Sequence, residues 1–335
     1  MKAGLSFLLL LVLAAPCAAQ DTVFTEVTPL AGNAELSRRL LTPLTVVQMQ
    51  KVLAREGQVL AGQPVAIANE KFLLHVPPAE PAHGYGLMVF VPPWKDARLP
   101  KGWSGPLDSN GIIFVSAAAS GNDQYDMSRR LPLAVAAAHN VMRRFKVDPA
   151  RVFAAGMSGG SRVAMRLALG YPDVFRGALL NAGSDVPGTR MASVPPRELF
   201  TRFQEQSRLV YLTGEQDKVN LDADRRSNTG MRSLCMFNTD IIVARGLGHE
   251  TADAASLSRG LTALLAPVAP DTAALQACRA GIENEMTARL DQADRLLAAG
   301  RRDDARTALY ETDERFGGLA APRSQELDAK REKPP

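Results

Sequence analysis

The sequence predicts an α/β protein: a mostly parallel central sheet with helices on both faces, followed by a helical tail. Three observations carry that expectation. Short apolar runs recur from about residue 66 onward, at Phe72–Val76, Leu87–Val91, Ile112–Val115, Val152–Ala155, Ala178–Leu180, Leu209–Leu212 and Ile241–Ala244. Most of them are continuous rather than alternating, as strands buried on both faces require. Helical patterns separate several of them, and strand–helix–strand repetition leads to parallel pairing with helical crossovers.

The elements follow in order. Residues 1–19 read as a signal peptide: Met1-Lys2 gives a basic start, Leu5 to Ala15 an apolar run, and Cys17-Ala18-Ala19 small residues for cleavage before Gln20. That run is too short for a comfortable membrane span, and no later stretch is longer and apolar. The mature chain is therefore expected outside the cytoplasm, secreted or periplasmic. Residues 20–65 form an N-terminal segment in which Asn33 and Thr42-Pro43 mark helix starts, predicting short helices at Ala34–Leu41 and Leu44–Ala54.

Residues 66–267 hold the strand series. Between the strands, Leu131, Val135, Ala138, Met142 and Phe145 fall on one helix face. Val163, Ala164, Leu167 and Ala168 form another, with Gly170 suited to its C-terminal end. Residues 268–335 shift to Ala, Arg, Asp, Glu and Leu. Two helices joined at Gly300 are expected there, similar to a single tetratricopeptide-like hairpin, with a disordered end from Lys330 to Pro335. A tail packed on the main domain is one reading; a contact surface for another protein is the other.

Composition narrows the function. Lys and Arg total 39 against 35 Asp and Glu, a net charge of +4. The charges are dispersed without the basic block that nucleic-acid binding needs. No Cys/His cluster has metal-ligand spacing. Cleavage of the leader leaves Cys235 and Cys278, an even count that suits one disulfide in an oxidising compartment.

The chemistry concentrates in "RVFAAGMSGGSRVAMRLALGYPDVF", which contains Gly156-Met157-Ser158-Gly159-Gly160. A G-x-S-x-G pattern gains meaning here from an apolar strand before it and an amphipathic helix after it. A strand-to-helix elbow holds its serine in a strained conformation and needs small neighbours, here Gly156 and Gly160.

With Asp148-Pro149 before the strand and Tyr171-Pro172-Asp173-Val174-Phe175 after the helix, the region from about Glu70 to Leu265 resembles the α/β-hydrolase superfamily. Within it, the region looks particularly like secreted esterases related to polyhydroxybutyrate depolymerases. The resemblance implies the order serine, acid, histidine along the chain. His75, His83 and His139 precede Ser158, so His249, in the Gly-rich "ARGLGHE", is the expected base. Asp217, in "YLTGEQDKVN" after the strand Leu209–Leu212, is the expected acid, with Asp185 and Glu215 as competitors. The oxyanion hole is expected to use the backbone N–H of Gly159 and a second donor after the strand Leu87–Val91. Many relatives carry His-Gly there. This chain reads Val91-Pro92-Pro93-Trp94, and proline has no N–H, so the donor falls to Trp94 or Lys95. Asn122 and Tyr125, in "SGNDQYD", are candidates for the pocket rim.

The expected activity is hydrolysis of small to medium carboxylic esters through an acyl-enzyme on Ser158, without a metal or organic cofactor. A peptidase or amidase with the same triad is the enzymatic alternative. A cell-envelope binding protein on a hydrolase scaffold is the non-enzymatic one.

Overall fold

The computed structural model describes residues 19–124 and 127–333. The signal-peptide reading, apart from Ala19, and Tyr125 lie outside them. Eight strands form one sheet: β1 (Gln20–Val23), β2 (Lys71–His75), β3 (Tyr85–Val91), β4 (Ile112–Ala117), β5 (Val147–Met157), β6 (Gly177–Asn181), β7 (Arg208–Gly214) and β8 (Thr239–Ala244). The spatial order is β1-β2-β4-β3-β5-β6-β7-β8. The first two strands pair antiparallel, β1 with β2 and β2 with β4, and β4 through β8 run parallel.

Residues of each central strand alternate between two separate cores. Leu87, Val89 and Val91 of β3 join one, with Val152 and Ala154 of β5 and Leu209 and Tyr211 of β7. Met88 and Phe90 join the other, with Phe153, Ala155, Val210 and Leu212. Both faces being covered explains the continuous apolar runs. The first face carries α4 (Met127–Arg144), α5 (Gly159–Gly170), α6 (Arg197–Gln206) and α7 (Lys218–Ser233); the second carries α3 (Ser104–Ser109) and α8 (Ala254–Leu264).

The N-terminal segment holds α1 (Asn33–Leu40) and α2 (Pro43–Arg55), within a residue or two of expectation. Pro43 is the first residue of α2, and the Thr42 side chain accepts from Thr45 N–H as its N-cap. Strand β1 had no signal in the sequence. Its four residues are mostly exposed, and its conformation comes from the ladder to β2 rather than from an apolar pattern.

Two further departures have physical causes. Met142 is 36% exposed, because the buried stripe of α4 runs instead through Leu131, Val135, Ala138 and Val141. α5 ends at Gly170 as expected. A Cβ there would sit 2.7 Å from the Leu40 side chain, so glycine admits α1. Lys330 to Glu332, expected to be disordered, are helical: α11 (Arg323–Glu332) follows α9 (Thr272–Ala298) and α10 (Arg302–Phe316), and the last two residues of that expectation, 334–335, lie outside the described residues. Lys330 meets Asp294 at 2.7 Å, Lys51 meets Glu332 at 2.5 Å, and Arg302 donates to the carbonyls of Arg331 and Lys333.

The tail helices lie on the first face. Leu275, Ile282, Met286, Leu290, Leu309 and Phe316 complete its core. Arg279 donates to Gln204 and Glu205 of α6, and Arg197 pairs with Glu283. The Asp313 carboxylate accepts from Leu44 N–H in the first turn of α2, joining residues 269 apart in sequence. Cys235 and Cys278 are disulfide-bonded with Cα atoms 5.8 Å apart, which ties α9 to the segment preceding β8.

That bond closes a loop of 43 residues, for which chain entropy gives about 4 kcal/mol of stabilisation. Replacing both cysteines by serine should lower the urea-unfolding free energy by an amount of that order. Denatured, unreduced protein should titrate no free thiol at either position.

Candidate active site

Strand β5 ends at Met157, α5 begins at Gly159, and Ser158 makes the turn between them with φ 56° and ψ −121°. A serine at positive φ is strained, and such strain persists only where the surroundings enforce it. Here Ser158 N–H donates to the Asn181 carbonyl at the end of β6, 2.9 Å away. The two flanking glycines are required by contact. A Cβ on Gly160 would fall 1.9 Å from the Val91 carbonyl oxygen, and one on Gly156 would fall 2.3 Å from Gly160. The helix can therefore cross directly over the ends of β3 and β5. The N–H groups of Gly159 and Gly160 have no acceptor among the described residues, as expected in the first turn of a helix.

His249 reaches this serine from the loop after β8. Its Nε2 is 3.0 Å from Ser158 Oγ, and its Nδ1 is 2.6 Å from Asp217 Oδ2. With the hydrogen on Nδ1, the imidazole donates to the carboxylate and can accept from the serine hydroxyl. The imidazole is 46% exposed and the Asp217 side chain 7%, so the serine side is open to solvent while the acid is sealed.

Asp217 follows β7 and also caps α7, accepting from Asn220 N–H. Burial pushes its carboxyl pKa up, but hydrogen bonds from His249 and from the Asn220 amide and backbone outweigh this and leave it lowered. Asn220 Nδ2 lies 3.0 and 2.9 Å from the two Asp217 oxygens, and Asn220 Oδ1 accepts from Arg162 at 3.3 Å.

Asp185 is not near the imidazole. Arg162 and Arg166 hold it, at 3.2 and 2.8 Å. Glu215 accepts from Gly246 N–H and so braces the histidine loop. His75 is buried against Asp108 at 2.7 Å, and His139 faces Glu26.

Asn181 is a positioning residue that its place at the end of an apolar run concealed. Its buried amide donates to the carbonyls of Leu212 and Glu250 and accepts from Ala252 N–H at 2.8 Å. The residue that receives Ser158 N–H thus also grips the loop carrying His249. The one available signal was a polar side chain closing a strand otherwise buried throughout.

The serine opens into a cavity of about 640 Å³ walled by Pro93, Trp94, Leu99, Asn122 and Met157. Trp94 stacks beneath the Arg98 guanidinium at 4.0 Å, and its backbone N–H donates to no group among the described residues. The Lys95 N–H likewise donates to no group among the described residues, while its carbonyl accepts from Ala119 N–H. Asn122 stands on the cavity wall.

A sheet with parallel β4-to-β8 topology, a strained serine at the β5–α5 elbow and a histidine after the last strand define the class: the chain has the α/β-hydrolase fold, with Ser158, His249 and Asp217 joined in one hydrogen-bonded line. No protein-family description and no curated protein matches the sequence. Among solved structures, it is similar to a Staphylococcus aureus fluorophosphonate-binding serine hydrolase (11% identity, 61% of this chain and 95% of the other, TM-score 0.48). S-formylglutathione hydrolase from the same organism is another (11%, 59% and 91%, 0.46). A Mycobacterium tuberculosis puromycin-hydrolyzing peptidase is a third (20%, 57% and 36%, 0.39). The chain spans about a third of the length of the peptidases that it resembles.

Below the site, Asp224 of α7 is fully buried, accepting from Ser184 Oγ at 2.6 Å and Thr213 Oγ1 at 2.5 Å. Burial raises its pKa to about 6, against the pull of the two hydroxyls and Arg162. The folded chain therefore binds this proton more tightly than the unfolded chain, whose carboxyl titrates near 4. The stabilisation is complete below the unfolded value and is lost as pH rises through about 6, a difference of about 3 kcal/mol. Asp224→Asn should remove it: relative to the native chain, the variant should gain stability between pH 4.5 and 7.5 in urea titrations. An unchanged difference between the two proteins across that range would contradict the account.

Proposed function

We propose that the protein hydrolyses carboxylic esters through an acyl-enzyme on Ser158. The observation that carries this reading is the single imidazole spanning Ser158 Oγ and Asp217 Oδ2 at 3.0 and 2.6 Å. Free serine is a weak nucleophile, and an adjacent oriented base is what activates it. In the proposed cycle His249 Nε2 takes the hydroxyl proton as Oγ attacks the ester carbonyl. Asp217 stabilises the resulting imidazolium, and the imidazolium returns the proton to the departing alkoxide. Water then attacks the acyl-enzyme with His249 again as base, releasing the acid and restoring Ser158. The backbone N–H groups of Gly159 and Trp94 would stabilise the tetrahedral oxyanion.

The choice of ester over amide follows the resemblance of residues 70–265 to secreted esterases. The cavity, open to solvent and about 640 Å³, suits small to medium substrates. Export is part of the proposal: the apolar leader and the Cys235–Cys278 bond both suit an oxidising compartment. Among the described residues no helix is long and apolar enough to cross a membrane.

Ser158→Ala should abolish fluorophosphonate labelling and lower turnover of aryl esters by several orders of magnitude. Undiminished turnover would remove the nucleophile from Ser158. On a panel of aryl esters and matched aryl amides, the esters should be cleaved faster; the reverse order would make the protein an amidase.

Asp217→Asn should lower kcat by ~10³–10⁴. Asp185→Asn, which loosens the pair of arginines but removes no group that touches the imidazole, should stay within about tenfold of the native rate.

A further inference from the structure

The loop after β3 supplies few donors to an oxyanion, because Pro92 and Pro93 have no N–H. A second loop, after β4, lies against it. Asn122 N–H donates to the Pro93 carbonyl at 2.9 Å, and Ala119 N–H to the Lys95 carbonyl at 2.6 Å. This joins the two loops over the N-terminus of α5. The Asn122 carboxamide rests on the α-carbon of Gly159. A Cβ at that position would be 2.2 Å from Asn122 Oδ1 and 3.3 Å from Nδ2, so residue 159 must be glycine for the amide to lie there.

Arg130 lies behind that amide. This guanidinium is 8% exposed and pairs with no carboxylate among the described residues. It donates instead to the carbonyls of Ser120 at 2.8 Å and Pro92 at 2.9 Å, and at 3.5 Å to Asn122 Oδ1. Burial lowers its pKa to about 10, which leaves it charged at neutral pH. A buried cation spent on two loop carbonyls and one amide oxygen has a positioning role. With Oδ1 turned toward Arg130, the remaining end of the amide is Nδ2, which donates to nothing among the described residues. Asn122 itself lines the cavity that contains Ser158 and His249.

We infer that Asn122 is a catalytic residue: its side-chain Nδ2 donates to the oxyanion formed on the carbonyl attacked by Ser158, beside the N–H of Gly159, and Arg130 holds it in place. The inference rests on the serine-hydrolase reading of Ser158 and names a further donor for it. A side-chain amide fixed before substrate binds stabilises developing charge without reorganisation, and loss of one such donor costs ~10²–10³ in kcat.

Two substitutions test it. Asn122→Ala removes the donor. Asn122→Asp keeps the shape and strengthens the contact with Arg130, but turns the donor into an acceptor and places negative charge beside the oxyanion. Both should lower kcat on the best aryl ester by about 10²-fold or more with little change in KM, and slow fluorophosphonate labelling of Ser158 to a similar degree. The thermal midpoint of Asn122→Asp should stay at or above that of the native protein. If Asn122 only braces the loops, Asn122→Asp should retain activity while Asn122→Ala loses both activity and stability. That pattern, or rates within threefold in both variants, would overturn the inference. Labelling needs no identified ester, so native protein that labels rapidly yet cleaves no ester would refute the substrate reading alone and leave the test of Asn122 intact.

Discussion

The site depends on one close approach, that of the Gly160 α-carbon to the Val91 carbonyl oxygen. The position a Cβ would take is 1.9 Å from that oxygen, closer than two non-bonded atoms can come. Because residue 160 has no side chain, α5 can begin directly above the ends of β3 and β5. Ser158 is then caught between a strand that ends at Met157 and a helix that starts at Gly159. Its positive φ follows from that confinement. The same crossing presents the first amides of α5 without acceptors and brings the loop after β3 alongside them.

Around this elbow the polar side chains form a frame more than a list of contacts. Asp185, Arg162, Asn220, Asp217, His249 and Ser158 follow one another through hydrogen bonds or ion pairs. Asp185 stands at one end of this arrangement and Asp217 within it, and only the second reaches the imidazole. Asn181 closes the frame from the sheet side by binding both the serine backbone and the loop beyond His249. Gly214 allows the last approach. A Cβ there would lie 2.3 Å from the Gly248 carbonyl and would push the histidine loop off β7.

The N-terminal and C-terminal helices pack on one another. α2 and the tail helices share the core on the first face, where Asp313 accepts from α2 and the disulfide secures α9. Their packing braces α6 and the segment before β8, which lead into β7 and β8, the strands before Asp217 and His249. The helical tail belongs to the body of the protein by its buried leucines and by its ion pairs, those of Arg197, Lys51 and Lys330 among them.

The sequence by itself determined most of the parallel sheet, the α5 elbow and the residues that meet there. Each is encoded locally: apolar runs for strands buried on two faces, small residues flanking a serine, a lone histidine in a glycine-rich loop after the last strand. The strand β1, with the polar sequence QDTV, was not legible, because an edge strand is defined by the partner that it pairs with. Nor were the roles of Asn181, Asn220 and Arg130. A buried amide or guanidinium reads as an ordinary polar residue until long-range contacts supply its partners. Arg130 meets Pro92 across 38 positions, and Asn181 meets Glu250 across 69. The sequence put Asp217 ahead of Asp185 by its place after the strand Leu209–Leu212, but what occupies each carboxylate was decided only by the tertiary structure, because the imidazole that meets Asp217 and the arginines that hold Asp185 come from distant parts of the chain.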